Sequence, residues 1–287
     1  MPWTNYHSHT IFSDGSDKPA LYLKEALRQG VHTYGFSCHA PVPFETDWCM
    51  KRERLEDYYE EIKILKEKYY SNINILISLE VDFVPGLVSP NDDIFRNSAL
   101  DYIIGSVHFV DAFQDGTPWG IDISCEVFED GLERIWKGDI QKATRRYYEL
   151  VREMIVQSNP TIIGHFDKIR MHNRANKYYS ENEGWYKDEI FKTLEVIRAA
   201  KSLMEVNTRG MYKGYTNEPY PSLWILSEAK KMAIPIVLNS DAHKPVEITA
   251  RFPETAIMLS KAGYKELFNW IDKNWQSFPF NESGIII

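Results

Sequence analysis

The 287-residue sequence predicts an α/β fold, a TIM-like barrel of about seven strands formed as a single domain over residues 1–287. Three observations predict it. Short β-like runs alternate with helical patterns along the chain, which implies parallel β-α units and not an antiparallel sandwich. Helix-to-strand links are short, as at residues 30–32 and 157–159, whereas strand-to-helix links are long, as at 110–138 and 171–184. The long loops therefore gather on one face. Polar residues also close several different strands, the way a barrel builds a site at strand carboxyl ends; an open doubly wound sheet gathers ligands near one switch point.

Strands are expected at residues 3–9, 33–39, 73–83, 101–109, 161–166, 203–208 and 234–241. Ser16 or Asp17 is expected to cap a helix running to Arg28, with Pro19 in its first turn and Gly30 as its stop. Leu55, Tyr58, Ile62 and Leu65 recur at the spacing of one helical face. So do Ala143, Tyr147, Leu150 and Met154, and again Ile190, Leu194 and Ile197. Pro221 opens a helix through Met232, and a last one covers about 255–262 before the tail. No repeat, low-complexity tract or linker divides the chain.

The apolar fraction of 44%, with 14% aromatics, is enough for a substantial core. No run approaches the roughly 18 uninterrupted apolar residues of a membrane span. The opening Met1-Pro2-Trp3-Thr4 has neither the basic nor the apolar region of a secretory signal, and Cys38, Cys49 and Cys125 are odd in number and unpatterned. A cytoplasmic protein with no membrane partner is expected. The formal charge of −8 disfavours nonspecific nucleic-acid binding, which leaves a small molecule as the expected partner.

Of the eight histidines, six fall at the ends of expected strands: His7, His9, His39, His108, His165 and His243. His7 and His9 are two apart, so on a strand they face the same side and can reach one ion. Glu80 interrupts the apolar run Ile75-Leu76-Ile77-Ser78-Leu79, and Asp241 follows Ile236-Val237-Leu238-Asn239-Ser240. A lone carboxylate buried there needs a cationic partner, and a divalent metal is the natural one. Asp14, in Ser13-Asp14-Gly15, is either a further ligand or a turn aspartate. Eight or nine such groups exceed one coordination sphere, so two or three divalent ions are expected, with Glu80 bridging them. Such a cluster suits phosphate ester hydrolysis.

These residues resemble a known family. His7-Ser8-His9-Thr10 with Phe12-Ser13-Asp14-Gly15, Ser37-Cys38-His39-Ala40-Pro41, Leu79-Glu80-Val81-Asp82, Gly105-Ser106-Val107-His108-Phe109, Gly164-His165-Phe166-Asp167 and Ser240-Asp241-Ala242-His243 resemble the polymerase and histidinol phosphatase (PHP) family. The resemblance covers nearly the whole chain. It implies a distorted (β/α)7 barrel with three metal ions. Carried over residue by residue, it gives His7, His9, Glu80 and Asp241 to one ion, Glu80, His108 and His165 to a second, and Asp14, His39 and His243 to the third. Zn, Mn and Fe all suit such mixed ligation. Within the family, residues 105–109 and 164–170 most resemble the histidinol-phosphate phosphatase branch. That branch implies hydrolysis of L-histidinol phosphate to L-histidinol and phosphate in histidine biosynthesis.

A phosphate group needs cations beyond the metals. Arg170 lies five residues after His165, and Arg209 follows the strand expected at 203–208. Guanidinium forks match phosphate oxygens, and the resemblance supports both as phosphate ligands, against the alternative of solvated loop arginines. Arg174 is a further candidate on the same loop. Glu80, Asp241, His243, Arg170 and Arg209 thus form the expected catalytic set. Attack on phosphorus by a metal-bound hydroxide is expected, without a covalent phosphoenzyme. Asp167, Asp122 and Asp17 are candidate acids for the leaving alkoxide or partners for a substrate ammonium, each alternatively a capping or surface carboxylate. Trp119, Tyr212 and Tyr215 are candidates for an aromatic rim, with ordinary packing as the alternative. Two competing functions remain: a PHP-type phosphodiesterase or nucleotide phosphatase, against which the acidic charge counts, and a non-catalytic metal-binding barrel. The cue for the latter would be missing ligands, and the main set is complete.

Overall fold

The opening strand β1 (Trp3–Asn5) is buried along its whole length, and the computed structural model, which describes residues 1–286, shows what surrounds it. In chain order follow α1 (Pro19–Arg28), β2 (Val31–Phe36), α2 (Leu55–Lys68), β3 (Asn74–Asp82), the single turn α3 (Asp93–Arg96), β4 (Tyr102–Ser106) and the hairpin strands β5 (Phe109–Ala112) and β6 (Pro118–Gly120). Then come α4 (Cys125–Trp136), α5 (Ile140–Ser158), β7 (Ile162–Ile163), α6 (Gly184–Ala200), β8 (Leu203–Asn207), α7 (Arg209–Tyr212), α8 (Leu223–Lys231) and β9 (Ile236–Asn239). After α9 (Phe252–Lys261) the chain ends in β10 (Glu266–Ile271), β11 (Asn274–Asn281) and β12 (Gly284–Ile285).

Seven parallel strands pair in the order β1-β2-β3-β4-β7-β8-β9. The circle closes just beyond the strand ends, through a parallel bridge between Ser8 and Ala242. There the His9 N–H donates to the Ala242 carbonyl at 2.8 Å, and the Ala242 N–H to the His7 carbonyl at 3.2 Å. Closure carries the fold's central consequence, because it points the chain after β1 and the chain after β9 into the same space. Strands in such a barrel are covered on both sides, which is why all of β3 after Asn74 is buried. One side packs on the helices; the other fills the barrel with Tyr6, Leu76, Tyr102, Ile104, Ile162, Leu203 and Val237.

Each of the three helical faces read from spacing is buried, on α2, α5 and α6. Local signals were less faithful. The N-cap of α1 is Lys18, not Ser16 or Asp17, and its side chain makes no capping bond. Ser16 instead donates its hydroxyl to Asp17 and its N–H to the His243 carbonyl at 2.8 Å, while the Asp17 carbonyl accepts from Ile11 at 3.0 Å. Both residues thus fasten the loop that carries Asp14. Pro221 does not begin α8, whose N-cap is Ser222. The span 110–138, expected as an open loop, holds β5, β6 and α4. Ser124 caps α4 by accepting from the Val127 N–H at 3.3 Å.

The tail is also structured. β10, β11 and β12 form an antiparallel sheet over the amino-terminal end of the barrel. Its turn at Asp272 and Lys273 has positive φ at both residues, 51° and 61°. That is the type I′ hairpin geometry usually announced by Asn-Gly or Asp-Gly, so without glycine no hairpin cue is present in the sequence. The Tyr6 hydroxyl accepts from the Trp270 N–H at 2.8 Å, Thr4 donates to Asn269 at 2.7 Å, and the Trp275 ring meets Tyr6 and Tyr102 at 4.8 and 5.8 Å between centroids. The site must therefore lie at the other end. No helix of the described residues is long and apolar enough to cross a membrane.

Because Trp275 seals the barrel only in part-buried form, Trp275→Ala should cost about 3 kcal/mol, the low end for such truncations. Chemical denaturation measures this, and a loss below about 1 kcal/mol would show that the terminal sheet is not what closes that end.

Candidate metal centre

At the open end, every barrel strand but β8 delivers at least one imidazole or carboxylate of the expected ligand set. His7 and His9 follow β1, Asp14 comes from the loop beyond, His39 pairs by an isolated bridge with Glu80 of β3, His108 follows β4, His165 follows β7, and Asp241 and His243 follow β9. Two backbone features set the approach. A Cβ on Gly15 would lie 2.1 Å from the His9 carbonyl oxygen, so the turn carrying Asp14 can pack there only with glycine. Asp241 has φ of 54°, a conformation tolerated by aspartate better than by most residues.

Glu80, 1% exposed, stands at the middle. Its Oε2 lies 3.1 Å from His7 Nε2, 3.5 Å from His9 Nε2 and 3.0 Å from His39 Nδ1. Its Oε1 lies 3.1 Å from His165 Nε2 and 3.7 Å from His108 Nε2, and accepts from the Ser106 hydroxyl at 2.6 Å. Asp241 Oδ1 is 3.2 Å from His9 Nε2 and 3.8 Å from His7 Nε2. Asp14 Oδ2 is 3.0 Å from His243 Nε2, and its Oδ1 is 3.9 Å from His39 Nε2. All nine expected ligands thus converge. Three groups are spaced to hold an ion: His7, His9 and Asp241; His9, Asp14, His39 and His243; and His39, Glu80 and His108. These overlap the three sets drawn from the resemblance, with His9 and His39 each standing between two positions.

The chemistry of this donor set fits divalent ions. His7 Nε2, His9 Nε2 and His39 Nδ1, the nitrogens that face Glu80, are buried without a hydrogen-bond partner, a costly condition that ligation relieves. Burial, together with the neighbouring imidazoles of His243 and His9 respectively, pushes His9 and His39 down to about 4, so both are neutral and their nitrogen lone pairs are free to bind. Burial alone would raise Glu80 and Asp241, but the surrounding histidines, and Arg209 beside Asp241, hold both carboxyls well below their ordinary range. Neutral imidazoles with ionised carboxylates suit Zn, Mn or Fe.

Two further carboxylates orient the ligands. Glu205 lies 2.6 Å from His7 Nδ1, and its other oxygen accepts from the His165 N–H at 2.8 Å. Asp82 lies 2.9 Å from His108 Nδ1. Each contact turns the opposite ring nitrogen toward Glu80. Sequence reasoning missed both, although Glu205 interrupts its apolar run as Glu80 does, and Asp82 lies two residues from Glu80 on the same strand.

A cavity of about 180 Å³ opens above Glu80, lined also by Asp122, Lys168, Arg209 and an apolar side of Trp48, Ile123, Met171 and Tyr215. Arg209 meets it as expected, with Nη1 2.6 Å from His243 Nδ1 and 3.0 Å from the Asp241 carbonyl. Arg170 is placed otherwise. It donates to Asp167 at 2.6 Å and to the Pro219 carbonyl at 2.6 Å, and lines a neighbouring cavity with Arg174. Asp167 is spent on Arg170 and on the Ser222 N–H at 2.9 Å. Burial outweighs that arginine and raises its carboxyl to about 7. Asp17 lies in the loop before α1 and does not line the cavity. Of the aromatic candidates, Tyr215 lines the cavity. Tyr212 donates its hydroxyl to the Asp241 carbonyl at 2.9 Å, and Trp119 is wholly buried against Phe128. Trp48, unread in the sequence, takes the place expected for Trp119.

Comparison with known proteins follows the same lines. A profile of the PHP domain matches residues 5–209. The histidinol-phosphatase of Bacillus subtilis (strain 168) is 28% identical over 260 residues, covering 84% of this chain and 94% of its own. That of Lactococcus lactis subsp. lactis (strain IL1403) is 27% identical over 290 residues, covering 96% and 99%. The crystal structure of histidinol phosphate phosphatase from Lactococcus lactis, complexed with Zn, L-histidinol and phosphate, has a TM-score of 0.68 at 22% identity over 99% of both chains. A Listeria monocytogenes protein reaches 0.77 at 22% identity, over 88% of this chain and 99% of its own. These two share the barrel fold.

Because Glu80 touches five imidazoles, Glu80→Gln should remove more than one equivalent of metal. Elemental analysis showing the loss of a single ion would reject its bridging position. Burial would lower His7 and His108, but Glu205, Glu80 and Asp241 raise the first, and Asp82, Asp122 and Glu80 push the second up to about 10. Both rings are therefore protonated at neutral pH in the ion-free protein, and metal must displace those protons. Metal uptake should release protons and tighten as pH rises; calorimetry in two buffers of different ionisation enthalpy that detects no proton release would contradict this.

Proposed function

The chain belongs to the PHP domain family, and from that premise we propose that it is a cytoplasmic, metal-dependent phosphomonoesterase that hydrolyses L-histidinol phosphate to L-histidinol and phosphate in histidine biosynthesis. The observation that carries this reading is the convergence of the full ligand set on Glu80 beneath a small cavity with its own cations. The histidinol-phosphatase relatives support the substrate, since they align along nearly their whole length. At about 180 Å³ the cavity is below the roughly 300 to 1,000 Å³ of drug-sized pockets, which favours a small ester over a polymer.

His7, His9, Asp14, His39, Glu80, His108, His165, Asp241 and His243 would hold two to three divalent ions. Such ions supply Lewis acidity toward phosphoryl oxygens and lower the pKa of a bound water. The protein's own groups do the rest. Arg209 stands over the Asp241 and His243 side of the cavity, where its guanidinium meets phosphate oxygens and favours the charge that spreads over them as the ester bond breaks. Water adds to phosphorus and gives up a proton, the bond from phosphorus to the ester oxygen breaks, and the leaving alkoxide takes up a proton in exchange, so that phosphate and L-histidinol result. Trp48, Ile123, Met171 and Tyr215 give the imidazole ring of the leaving group an apolar wall, and the Asp122 carboxylate faces the same space as a partner for its ammonium.

Under identical metal loading, histidinol phosphate should therefore exceed nucleoside monophosphates, sugar phosphates, an aryl phosphate and a nucleotide diester in kcat/KM by at least tenfold, about 1.4 kcal/mol. A nucleotide or diester ahead by the same factor would overturn the substrate while leaving the metal centre standing.

A further inference from the structure

We propose that Lys168 is a catalytic residue that places a second protein cation, besides Arg209, on the phosphoryl group; this rests on the phosphomonoesterase reading above. Lys168 stands three residues after His165, at the start of a short helical turn spanning Lys168–His172, and its N–H donates to the His165 carbonyl at 2.8 Å. The residue is 4% exposed, yet its side chain lines the metal cavity. Fully buried lysines are rare unless paired, because the ammonium loses its water.

Lys168 is poorly paired. Among the described residues its ammonium meets one carboxylate within 4 Å, Asp122, at 3.7 Å, beyond hydrogen-bond reach. The Tyr220 ring lies on another side, 5.7 Å from nitrogen to centroid. Three N–H donors thus stand beside the cavity without an acceptor at bonding distance among the described residues. Contrast Arg170, two residues on, whose guanidinium is spent on Asp167 and the Pro219 carbonyl at 2.6 Å each. The basic stretch therefore divides its labour: Arg170 braces the loop, and Lys168 keeps a free cation at the cavity.

Position supports the role. Arg209 leans on Asp241 and His243, whereas Lys168 leans toward Asp122, which is itself 3.9 Å from His108. A phosphoryl group in the cavity would meet both a planar guanidinium and a compact ammonium in its lining. An ammonium binds phosphate as a point charge, so it follows oxygens that shift as the ester bond lengthens.

The test compares wild type with Lys168→Met and Lys168→Arg, all metal-loaded, by calorimetric titration with inorganic phosphate and by turnover of histidinol phosphate. Lys168→Met should bind phosphate at least about tenfold more weakly and lose on the order of a hundredfold in kcat/KM at full metal content, the scale of one lost charge-assisted contact strengthened in the transition state. Lys168→Arg should recover most of the phosphate affinity. Phosphate binding within about threefold of wild type in Lys168→Met would overturn the proposal. Should that variant fail to fold cooperatively, Lys168→Gln replaces it, and neutral variants that fold but cannot load metal would assign Lys168 to the scaffold and overturn the proposal. The two readings fail separately. A wild type inert on histidinol phosphate, yet binding phosphate tenfold better than Lys168→Met, would overturn the substrate alone; unchanged phosphate affinity in Lys168→Met beside normal wild-type turnover would overturn Lys168 alone.

Discussion

Glu80 is a carboxylate buried at the carboxyl end of a barrel strand, and its charge has to be answered there. Among the described residues no lysine or arginine lies within 4 Å of it; five imidazoles do. Imidazoles answer the charge either as protonated cations or as ligands of a shared metal, and the crowding of the rings limits the first option. His9 lies 4.2 Å between centroids from both His39, tilted, and His243, stacked, so charging neighbouring rings together would set like charges against one another in a dry space. Divalent ions remove that conflict. Ion binding is thereby coupled to the stability of this end of the fold.

The barrel makes such a concentration of donors possible. Seven strands aimed at one space can each contribute a residue or two, and closure through the Ser8 and Ala242 bridge brings the first and last contributors together. The terminal sheet seals the opposite end with Tyr6, Tyr102 and Trp275, so polar chemistry is confined to one mouth. Glu205 and Asp82 then fix the rings of His7 and His108. These contacts explain why the imidazoles converge and do not splay.

Much of this was legible in the sequence because the signals were local. A histidine at a strand end and a charge inside an apolar run each mark a place where burial has to be compensated, and His108, His165, Glu80 and Asp241 all carried that mark. What escaped depended on direction or on distant partners. Lys168 and Arg170 sit two apart in one short turn, and only Asp167 and the carbonyl of Pro219, far along the chain, decide which of them turns away from the cavity. Trp48 and Trp119 are interchangeable on paper, but α4, hidden in a span read as loop, buries Trp119 and leaves Trp48 at the mouth. The terminal hairpin escaped because its turn uses Asp272 and Lys273 where glycine would have announced it.

The central claim is that Glu80 and its imidazoles form one shared polynuclear centre. X-ray absorption at the metal edge of the purified, reconstituted protein tests it most directly. A coordination sphere of nitrogen and oxygen accompanied by metal-to-metal scattering is the predicted result. A spectrum of isolated ions without metal-to-metal scattering, at full occupancy, would contradict it.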